Sequence, residues 1–276
     1  MKLTLKDSSK VAKFSDIFKH LKQLLDNIVI YFSSNGIYIQ GMDMSQICLF
    51  ECKLDANWFD DYCFDEDNDD NRLCVNTGIL HKVVNAVDET QIIELSYEGS
   101  ADILNIKFSN PKHYAIDGRF THHFEIALID IDSERLEIPV SDTHVDLTMD
   151  VTSFSKLVGQ LIIFSDQLTL TFTDASIQFE TTGIDGGMKS QIDLDDVSEY
   201  AIGEDVTLVQ SYSLSFINKM CSFSKLNKHI VMGFSENMPM SLTYNLSEKE
   251  CCPEGDVGDK YSTSSVAFYL APRMED

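Results

Sequence analysis

Long apolar runs are missing from the 276-residue sequence. No stretch approaches the roughly 20 consecutive apolar residues that a membrane-spanning helix needs. The first residues, MKLTLKDSSK, also lack the apolar core of a signal peptide. Hydrophobic residues nevertheless make up 43% of the chain, which is ample for a buried core. The sequence therefore predicts a globular protein of one large domain or of two domains of about 130 residues each.

Paired cysteine spacings are missing as well. The number of cysteines is odd, and no spacing between them is typical of a metal site or of a disulfide framework. Free thiols in a reducing compartment are the simplest interpretation. The seven cysteines are Cys48, Cys52, Cys63, Cys74, Cys221, Cys251 and Cys252.

Motifs of known catalytic machinery are absent too. The sequence has no Gly-x-Ser-x-Gly, no phosphate-binding glycine-rich loop and no Cys-x-x-Cys. Adjacent His122 and His123 would point to opposite faces of a strand, so they cannot easily share a metal. The acidic stretch 59–73 imitates a calcium loop, but Asp70 and Asn76 stand where such a loop needs Gly and Glu. We predict no enzyme activity, no metal and no cofactor, with a carboxylate-based enzyme as a distant alternative.

Positive charge is scarce overall and unevenly placed. The chain has 21 Lys and Arg against 45 Asp and Glu, and this net charge of −24 argues, taken whole, against nucleic-acid binding. Four segments with helical apolar spacing, however, hold nine lysines and a single acid, or +8, which leaves −32 for the remainder. We expect a positive helical face and an acidic remainder. The four segments are 10–25, 77–87, 151–163 and 212–228.

The order of predicted strands and helices repeats along the chain. Alternating strand patterns surround two helical segments in each half. NGIYIQGMD (35–43) and DASIQFETTG (174–183) occupy matching places, about 140 residues apart. This duplication predicts an α+β fold of two similar domains, 1–127 and 142–276, each with two helices packed on strand-rich sheets.

The connecting segment, 128–141, is unusually apolar and contains LIDIDSERLEIP. Linkers are usually polar because their side chains face water. Two interpretations are open: the apolar side chains pin the linker to its own domains, or they form a surface for another protein. A second atypical segment, 247–265, is Gly-, Ser- and acid-rich, and it predicts a long loop before the last strand.

Three stretches resemble one protein family. SSNGIYIQGMDMSQICLFECKL (33–54), LIDIDSERLEIP (128–139) and YLAPRMED (269–276) are similar to a strand pair, the interdomain connecting loop and the C-terminal end of the eukaryotic-type DNA sliding clamp, the proliferating cell nuclear antigen family. The resemblance runs nearly end to end. It implies the DNA-clamp fold, a homotrimeric ring of six similar domains around double-stranded DNA, and a non-enzymatic DNA polymerase processivity factor in replication and repair.

The resemblance also implies which side chains face DNA. In the family the helices line the central channel, and this agrees with the positive helical segments counted above. Contacts to phosphates carry no sequence information, which suits a protein that must slide. The implied DNA-binding residues are Lys10, Lys13, Lys19, Lys22, Lys82, Lys156, Lys219, Lys225 and Lys228.

A partner pocket is implied in the same way. The family's connecting loop forms one wall of an apolar pocket that binds the motif Gln-x-x-(Ile/Leu/Met)-x-x-aromatic-aromatic in DNA polymerase, the clamp loader and other partners. Acidic residues in the linker would favour partners with basic flanks. By matching motifs, the pocket residues are Met42, Gln46, Ile47, Leu49, Leu136, Ile138, Pro139, Pro239, Tyr269, Leu270, Ala271 and Pro272.

Some positions depart from the family pattern. Gln46 replaces a common His, Asp174 stands where the family can carry a lysine modified by ubiquitin, and Gly159 replaces a basic residue. These departures indicate a divergent member, viral or from a protist, acting in the nucleus or at another intracellular replication site. Edge pairing of strands near 117–127 and 186–194 would give the trimer. The alternative is a clamp-fold polymerase accessory protein that stays monomeric and holds DNA electrostatically.

Overall fold

A computed structural model describes residues 1–64, 71–99, 102–111, 120–130, 135–138, 143–203, 206–247 and 264–273. Within these ranges the helices are α1 (Ser8–Leu21), α2 (Thr77–Val84), α3 (Val151–Leu161) and α4 (Leu214–Cys221). The strands up to the linker are β1 (Lys2–Leu5), β2 (Asn27–Ser33), β3 (Gly36–Met42), β4 (Cys48–Asp55), β5 (Asp61–Cys63), β6 (Arg72–Asn76), β7 (Ile92–Tyr97), β8 (Ile103–Ser109) and β9 (His122–Ala127). The strands after it are β10 (Val145–Asp150), β11 (Gln167–Phe172), β12 (Ile177–Gly183), β13 (Gly186–Ile192), β14 (Glu199–Ile202), β15 (Leu208–Ser213), β16 (His229–Phe234), β17 (Met240–Asn245) and β18 (Ser265–Leu270).

The chain divides into two compact units that exchange segments. The first unit comprises Met1–Gly41, Glu51–Arg135 and Leu246–Ser265, and the second comprises Met42–Phe50, Leu136–Asn245 and Val266–Asp276. The continuous domains expected from the sequence, 1–127 and 142–276 around the linker 128–141, therefore stay a prediction. The compact units differ from them because the segment Met42–Phe50 belongs to the second unit and the segment Leu246–Ser265 belongs to the first.

Three of the helices begin at a polar side chain that caps them. Asp7 Oδ1 accepts a hydrogen bond from the Lys10 N–H at 3.0 Å, and Asp150 Oδ1 accepts one from the Ser153 N–H at 2.8 Å. Asn76 caps α2 in the same manner. These bonds satisfy amide groups that the first helical turn leaves without an intrahelical partner. No helix within the described ranges combines the length and the apolar character needed to cross a membrane.

All four predicted helices are confirmed, although each ends before its predicted segment does, and α1 and α4 end the earliest. After α1, Leu24 and Leu25 form tight turns and remain buried. After α4, Phe223 and Leu226 do the same. The apolar pattern therefore continues because these turns also face the core, while the regular helix has already ended.

The first unit builds its core between helices and antiparallel strands. Its described five-stranded sheet has the order β5-β1-β7-β8-β9, and β2 pairs with both β3 and β6. Helices α1 and α2 contact each other. Phe14, Phe18 and Leu80 from these helices line one small apolar space together with Ile30 and Leu95 from the strands. The helices thus pack on the strands along their apolar faces.

The second unit repeats this arrangement. Its described strands follow the orders β13-β12-β11-β15 and β14-β10-β16-β17-β18. Helices α3 and α4 contact each other, and Phe154 of α3 meets Phe179 of β12 edge to face, with ring centroids 6.4 Å apart. The strand–helix–strands–helix order therefore occurs twice, which confirms the duplicated α+β fold.

The described cysteines are unpaired, as predicted. Burial raises the pKa of Cys48 to about 12 and that of Cys221 to about 11, so both remain protonated thiols at neutral pH. Cys52 and Cys74 are also buried, whereas Cys63 is exposed. The adjacent cysteines at 251 and 252 lie outside the described residues.

Candidate functional site

A buried carboxylate organises the loop between β3 and β4. Asp43 Oδ1 accepts hydrogen bonds from the N–H groups of Ile47 and Cys48, both at 2.7 Å, and Oδ2 accepts one from Ser45 N–H at 2.8 Å. The Asp43 N–H in turn donates to the Cys48 carbonyl at 3.0 Å. Bonds from backbone amides to a carboxylate are among the stronger hydrogen bonds in proteins. They hold the loop in one shape, in which Gln46 adopts a left-handed backbone with φ of 57°.

The same loop presents apolar side chains to solvent. Met42 and Ile47 are 39% and 38% exposed, and Met44 is 88% exposed. Flexible thioether side chains next to an aliphatic one are typical of surfaces that bind other proteins. Met44 was not among the predicted pocket residues. Its only sequence signal was its position two residues after Met42, in a loop that the resemblance already assigned to the pocket.

The C-terminal segment lies beside this loop. The Ala271 N–H donates to the Ile47 carbonyl at 2.9 Å. Farther along, the Arg273 N–H donates to the Ser211 carbonyl at 2.7 Å, and its guanidinium lies 3.3 Å from Asp166 Oδ2. The segment after β18 is therefore held at two points on the second unit.

The described part of the linker, residues 135–138, also exposes apolar surface. Leu136 is 43% exposed and Ile138 is half-buried, while Glu137 between them is exposed. Pro139, the next predicted pocket residue, lies outside the described residues. The linker thus offers one aliphatic side chain on the surface and a second one partly covered.

The structure places most of the predicted pocket residues in the second unit, but at different depths. Ile47 and Ala271 are joined directly by their backbone hydrogen bond. Leu270 is fully buried and Leu49 is nearly so, which places these two beneath the surface rather than on it. Pro239 is exposed just before β17. The remaining described members that a partner could reach are Met42, Gln46, Leu136, Ile138, Tyr269 and Pro272.

The helical lysines differ from the other cations in their partners. Within the described residues, no lysine of a helix forms an ion pair with a carboxylate, and Lys22, Lys82 and Lys156 are exposed. The lysines and the arginine that do form ion pairs lie on strands or in loops, whereas the pair His20–Asp16 within α1 is ionic only when the imidazole is protonated. The lysine and arginine pairs are Lys2–Glu94, Lys6–Asp61, Lys53–Glu51, Lys107–Glu94, Lys189–Glu180 and Arg273–Asp166. The uncompensated positive charge is therefore concentrated on the helices and immediately after α4.

Two of the predicted DNA-binding lysines make other contacts. Lys13 Nζ donates to the Leu246 carbonyl at 3.0 Å, so its ammonium group holds a loop of the first unit. Lys219 is half-buried, with Nζ 5.0 Å from the centre of the Phe216 ring. Of the other predicted DNA-binding residues before α4, Lys22, Lys82 and Lys156 are exposed, and Lys10 and Lys19 are partly exposed. Lys225 and Lys228 follow α4 and are exposed as well.

Two sheet edges carry exposed apolar residues that the sequence did not single out. Among the described strands, β9 ends the order of the first sheet and β13 ends the order of the four-stranded sheet. Phe120, just before β9, is 69% exposed, and Ile184, just before β13, is fully exposed. Phe164 lies close to the start of β13, since a Cβ atom on Gly186 would come within 3.6 Å of its ring. Open edges flanked by apolar side chains favour association with another chain.

No group of three or more His, Cys, Asp or Glu side chains in the described ranges is arranged to hold a metal ion. The aspartates that imitate a calcium loop, at 65, 67 and 69, lie outside those ranges. His122 and His123 occupy adjacent positions of β9, opposite Phe108 and Lys107 in the register of β8. The features that stand out among the described residues are exposed apolar side chains in the loops and exposed lysines on the helices.

Comparison with known proteins identifies the family. The model of the proliferating cell nuclear antigen N-terminal domain matches residues 3–135, and the model of its C-terminal domain matches residues 137–252. Proliferating cell nuclear antigen of Chaetomium thermophilum is 25% identical over 263 residues, covering 93% of this chain and 92% of that protein. Proliferating cell nuclear antigen 2 of Plasmodium falciparum is 22% identical over 265 residues, covering 95% and 96%. These matches confirm the resemblance and agree with the duplicated α+β fold. The chain belongs to the proliferating cell nuclear antigen family.

Proposed function

We propose that this protein works as a homotrimeric ring that encircles double-stranded DNA and holds partner proteins by their short apolar motif. Membership of the family makes it a DNA sliding clamp and a polymerase processivity factor. The family is a non-enzymatic one, so activity consists of enclosing DNA and tethering other proteins to it. We further propose that the ring has three subunits, that lysines of the helices face DNA, that partners bind through the short motif, and that the protein acts in the nucleus.

The main support for a ring is that the described strands include two different sheet edges, at β9 and at β13. β9 belongs to the first unit and β13 to the second, and each edge is flanked by an exposed apolar side chain, Phe120 or Ile184. Pairing of one edge with the other kind of edge on a neighbouring copy is a head-to-tail contact. Such a contact generates a closed ring when the rotation between copies closes. Three copies would give the six domains of the family ring.

The charge distribution supports DNA inside the ring. The helical lysines are not neutralised by carboxylates within the described residues, whereas the ion-paired lysines lie elsewhere. Lysines that contact phosphates release counterions without reading base sequence. A ring does not need high affinity for DNA because enclosure keeps it there. This explains how a chain of net charge −24 can operate on a polyanion.

The loop at Asp43, the C-terminal segment and the linker support the partner pocket. Together they expose Met42, Met44, Ile47 and Leu136, and a rigid loop lowers the entropy cost of binding. Aromatic anchors of a partner motif would bury against this surface. The exposed Glu137 would favour partners with basic residues beside the motif.

Light scattering on a sizing column tests the ring. We expect a mass of about three times the 31.2 kDa chain. Ile184→Asp places a charge beside the β13 edge and should shift the protein towards the monomer, without disturbing a core from which Ile184 is absent. Met44→Asp is the matched control, because Met44 is also strongly exposed but lies in the pocket loop. A monomeric native protein at micromolar concentration would overturn the ring and favour a monomeric accessory protein that holds DNA by electrostatics.

A further inference from the structure

Arg135 of the linker stacks on the ring of Tyr38 in the first unit. The Cζ atom of Arg135 lies 3.9 Å from the centre of the Tyr38 ring. That distance is well inside the range of about 6 Å in which a guanidinium is attracted to an aromatic face. Arginine suits this contact because its planar guanidinium stacks on rings and is weakly hydrated. The next residue in the chain is Leu136, part of the predicted partner pocket.

The ring of Tyr38 is itself fixed by its neighbours. Its hydroxyl donates to Glu51 Oε1 at 2.9 Å and accepts from Gln40 Nε2 at 2.9 Å. Glu51 is buried, and its other carboxylate oxygen lies 3.0 Å from Lys53 Nζ. Burial is the largest cause that raises the pKa of Tyr38, and the charge and hydrogen bond of Glu51 raise it further. The charge of Arg135 lowers this pKa and so opposes the shift. A ring held in this way is a rigid platform for the guanidinium.

We propose that Tyr38 and Arg135 form an anchor that positions Leu136 and Ile138 for the partner motif. This inference rests on the proposed function of the pocket. An extended chain spans at most about 3.6 Å per residue, so fixing Arg135 confines Ile138 to within about 11 Å of that point. A partner then meets a linker that is already restricted, and the ordering cost of binding falls. Arg135 acts here as a positioning residue and does not itself have to touch the partner.

Trypsin measures the anchor without any partner, because it cleaves after arginine. In the native protein the stacked Arg135 should be protected, and in Tyr38→Leu the bond between Arg135 and Leu136 should be cut faster. Stacking at an exposed site is worth about 0.5–1 kcal/mol, or about a two- to fivefold change in rate. The fragment that ends at Arg135 is quantified by mass spectrometry. Tyr31→Leu is the matched control, since it removes the ring next to Tyr38 but leaves Tyr38 under Arg135.

Affinity for a fluorescent peptide of the Gln-x-x-Leu-x-x-Phe-Phe pattern measures the positioning role. Tyr38→Leu and Arg135→Gln should each weaken binding by about the same two- to fivefold factor, because both remove the same stacking contact. Tyr38→Phe keeps the ring and should restore most of the affinity and of the protection. Arg135→Gln leaves Tyr38 and its buried partners intact, so it decides the matter even if Tyr38→Leu folds poorly.

The outcomes separate cleanly. Equal cleavage at Arg135 in native protein and Tyr38→Leu would overturn the anchor. Faster cleavage with unchanged peptide affinity would overturn the positioning role. If the native protein binds no peptide at all, the pocket of the proposed function fails and the positioning role fails with it, while the cleavage rates still report separately whether the stack on Tyr38 exists.

Discussion

The backbone N–H of Ala271 donates a hydrogen bond to the carbonyl of Ile47 at 2.9 Å. One residue follows the last strand of the chain, and the other ends the loop that Asp43 organises. The bond therefore couples the C-terminal segment to a loop more than 200 residues earlier in the sequence. Both segments belong to the partner surface that the family resemblance implies. Removing this hydrogen bond therefore tests whether the position of the C-terminal segment against the loop matters for partner binding.

Ala271→Pro should weaken partner binding while sparing the fold. Proline removes the donor N–H, and the strand conformation of Leu270 is compatible with a following proline. Loss of one hydrogen bond of about 1 kcal/mol corresponds to about a fivefold weaker peptide affinity. Fluorescence anisotropy with the motif peptide measures this. Ala271→Ser keeps the N–H and serves as the control; a similar loss in that variant would mean that the hydrogen bond is not responsible.

Asp43→Ala should cost both stability and binding. It leaves the amide groups of Ser45, Ile47 and Cys48 without their carboxylate partner, and the last of these is buried. We expect a loss of about 2–3 kcal/mol in the free energy of unfolding, measured by urea denaturation. Asp43→Asn retains one carbonyl oxygen for Ile47 and Cys48 and should lose less. Equal unfolding midpoints for the native and alanine proteins would contradict this role.

Removing helical lysines should reduce the electrostatic part of DNA binding. The triple alanine variant at Lys22, Lys82 and Lys156 removes three exposed cations that have no ion-pair partner among the described residues. Binding to a short DNA duplex at low salt should weaken. The slope of log affinity against log salt should fall by up to about 0.9 for each phosphate that the variant no longer neutralises.

The control for this experiment is the triple alanine variant at Lys2, Lys6 and Lys189. It changes the net charge by the same amount but removes cations that are already paired with carboxylates. Surface ion pairs contribute about 0–1 kcal/mol each, so this variant should still fold. Equal losses of DNA affinity in the two variants would show that only total charge matters and that the helices are not the DNA-binding face.

Local patterns were sufficient to predict the helices and the duplication. The three- and four-residue spacing of Phe14, Phe18 and Leu21 describes one apolar face, and these residues are indeed buried in α1. Burial extends past the helix to Leu25, however, and periodicity cannot distinguish a buried turn from a helical one. The end of α1 was therefore predicted several residues too late.

Contacts between distant residues could not be read from the sequence. Lys13 resembles the other helical lysines, yet its ammonium group bonds to the carbonyl of Leu246, 233 residues away. Asp43 is one of 45 acidic residues, and no pattern in the adjacent sequence indicates that it is buried and accepts three hydrogen bonds from backbone amides. The stack of Arg135 on Tyr38 is of the same kind, since it depends on which strand the linker passes.

The cap of α3 should give a pH-dependent contribution to stability. The hydrogen bonds that Asp150 accepts from the backbone and side chain of Ser153 lower the pKa of this carboxyl. The unfolded chain therefore binds the proton of Asp150 more tightly than the folded chain does. The contribution of the Asp150 carboxylate to the free energy of unfolding is fully present above the ordinary pKa near 4, and it is lost as the pH falls through the lower native pKa.

Asp150→Ala should accordingly lower the free energy of unfolding by about 1 kcal/mol at neutral pH. The difference from the native protein should stay constant between about pH 5 and 7 and shrink below about pH 4. Urea denaturation across this range measures it. Asp150→Asn, which caps a helix without titrating, should show a smaller loss at neutral pH but the same change of that loss with pH, because the titrating carboxyl is absent from both variants. A difference that grows on acidification would contradict the assigned sign.

Ile138→Ala decides between the two interpretations of the apolar linker. If the side chain forms a wall of the pocket, its truncation should cost about 1–2 kcal/mol of peptide binding, or roughly a five- to thirtyfold loss, from a micromolar starting affinity of about −8 kcal/mol. The melting temperature should barely change, because Ile138 is only half-buried and lies outside the strands and helices. Leu136→Ala should behave in the same way, and Glu137→Ala, exposed between them, is the matched control when the peptide carries no basic residues beside the motif. A large drop in melting temperature with intact peptide affinity would instead show that the apolar residues only pin the linker to the protein.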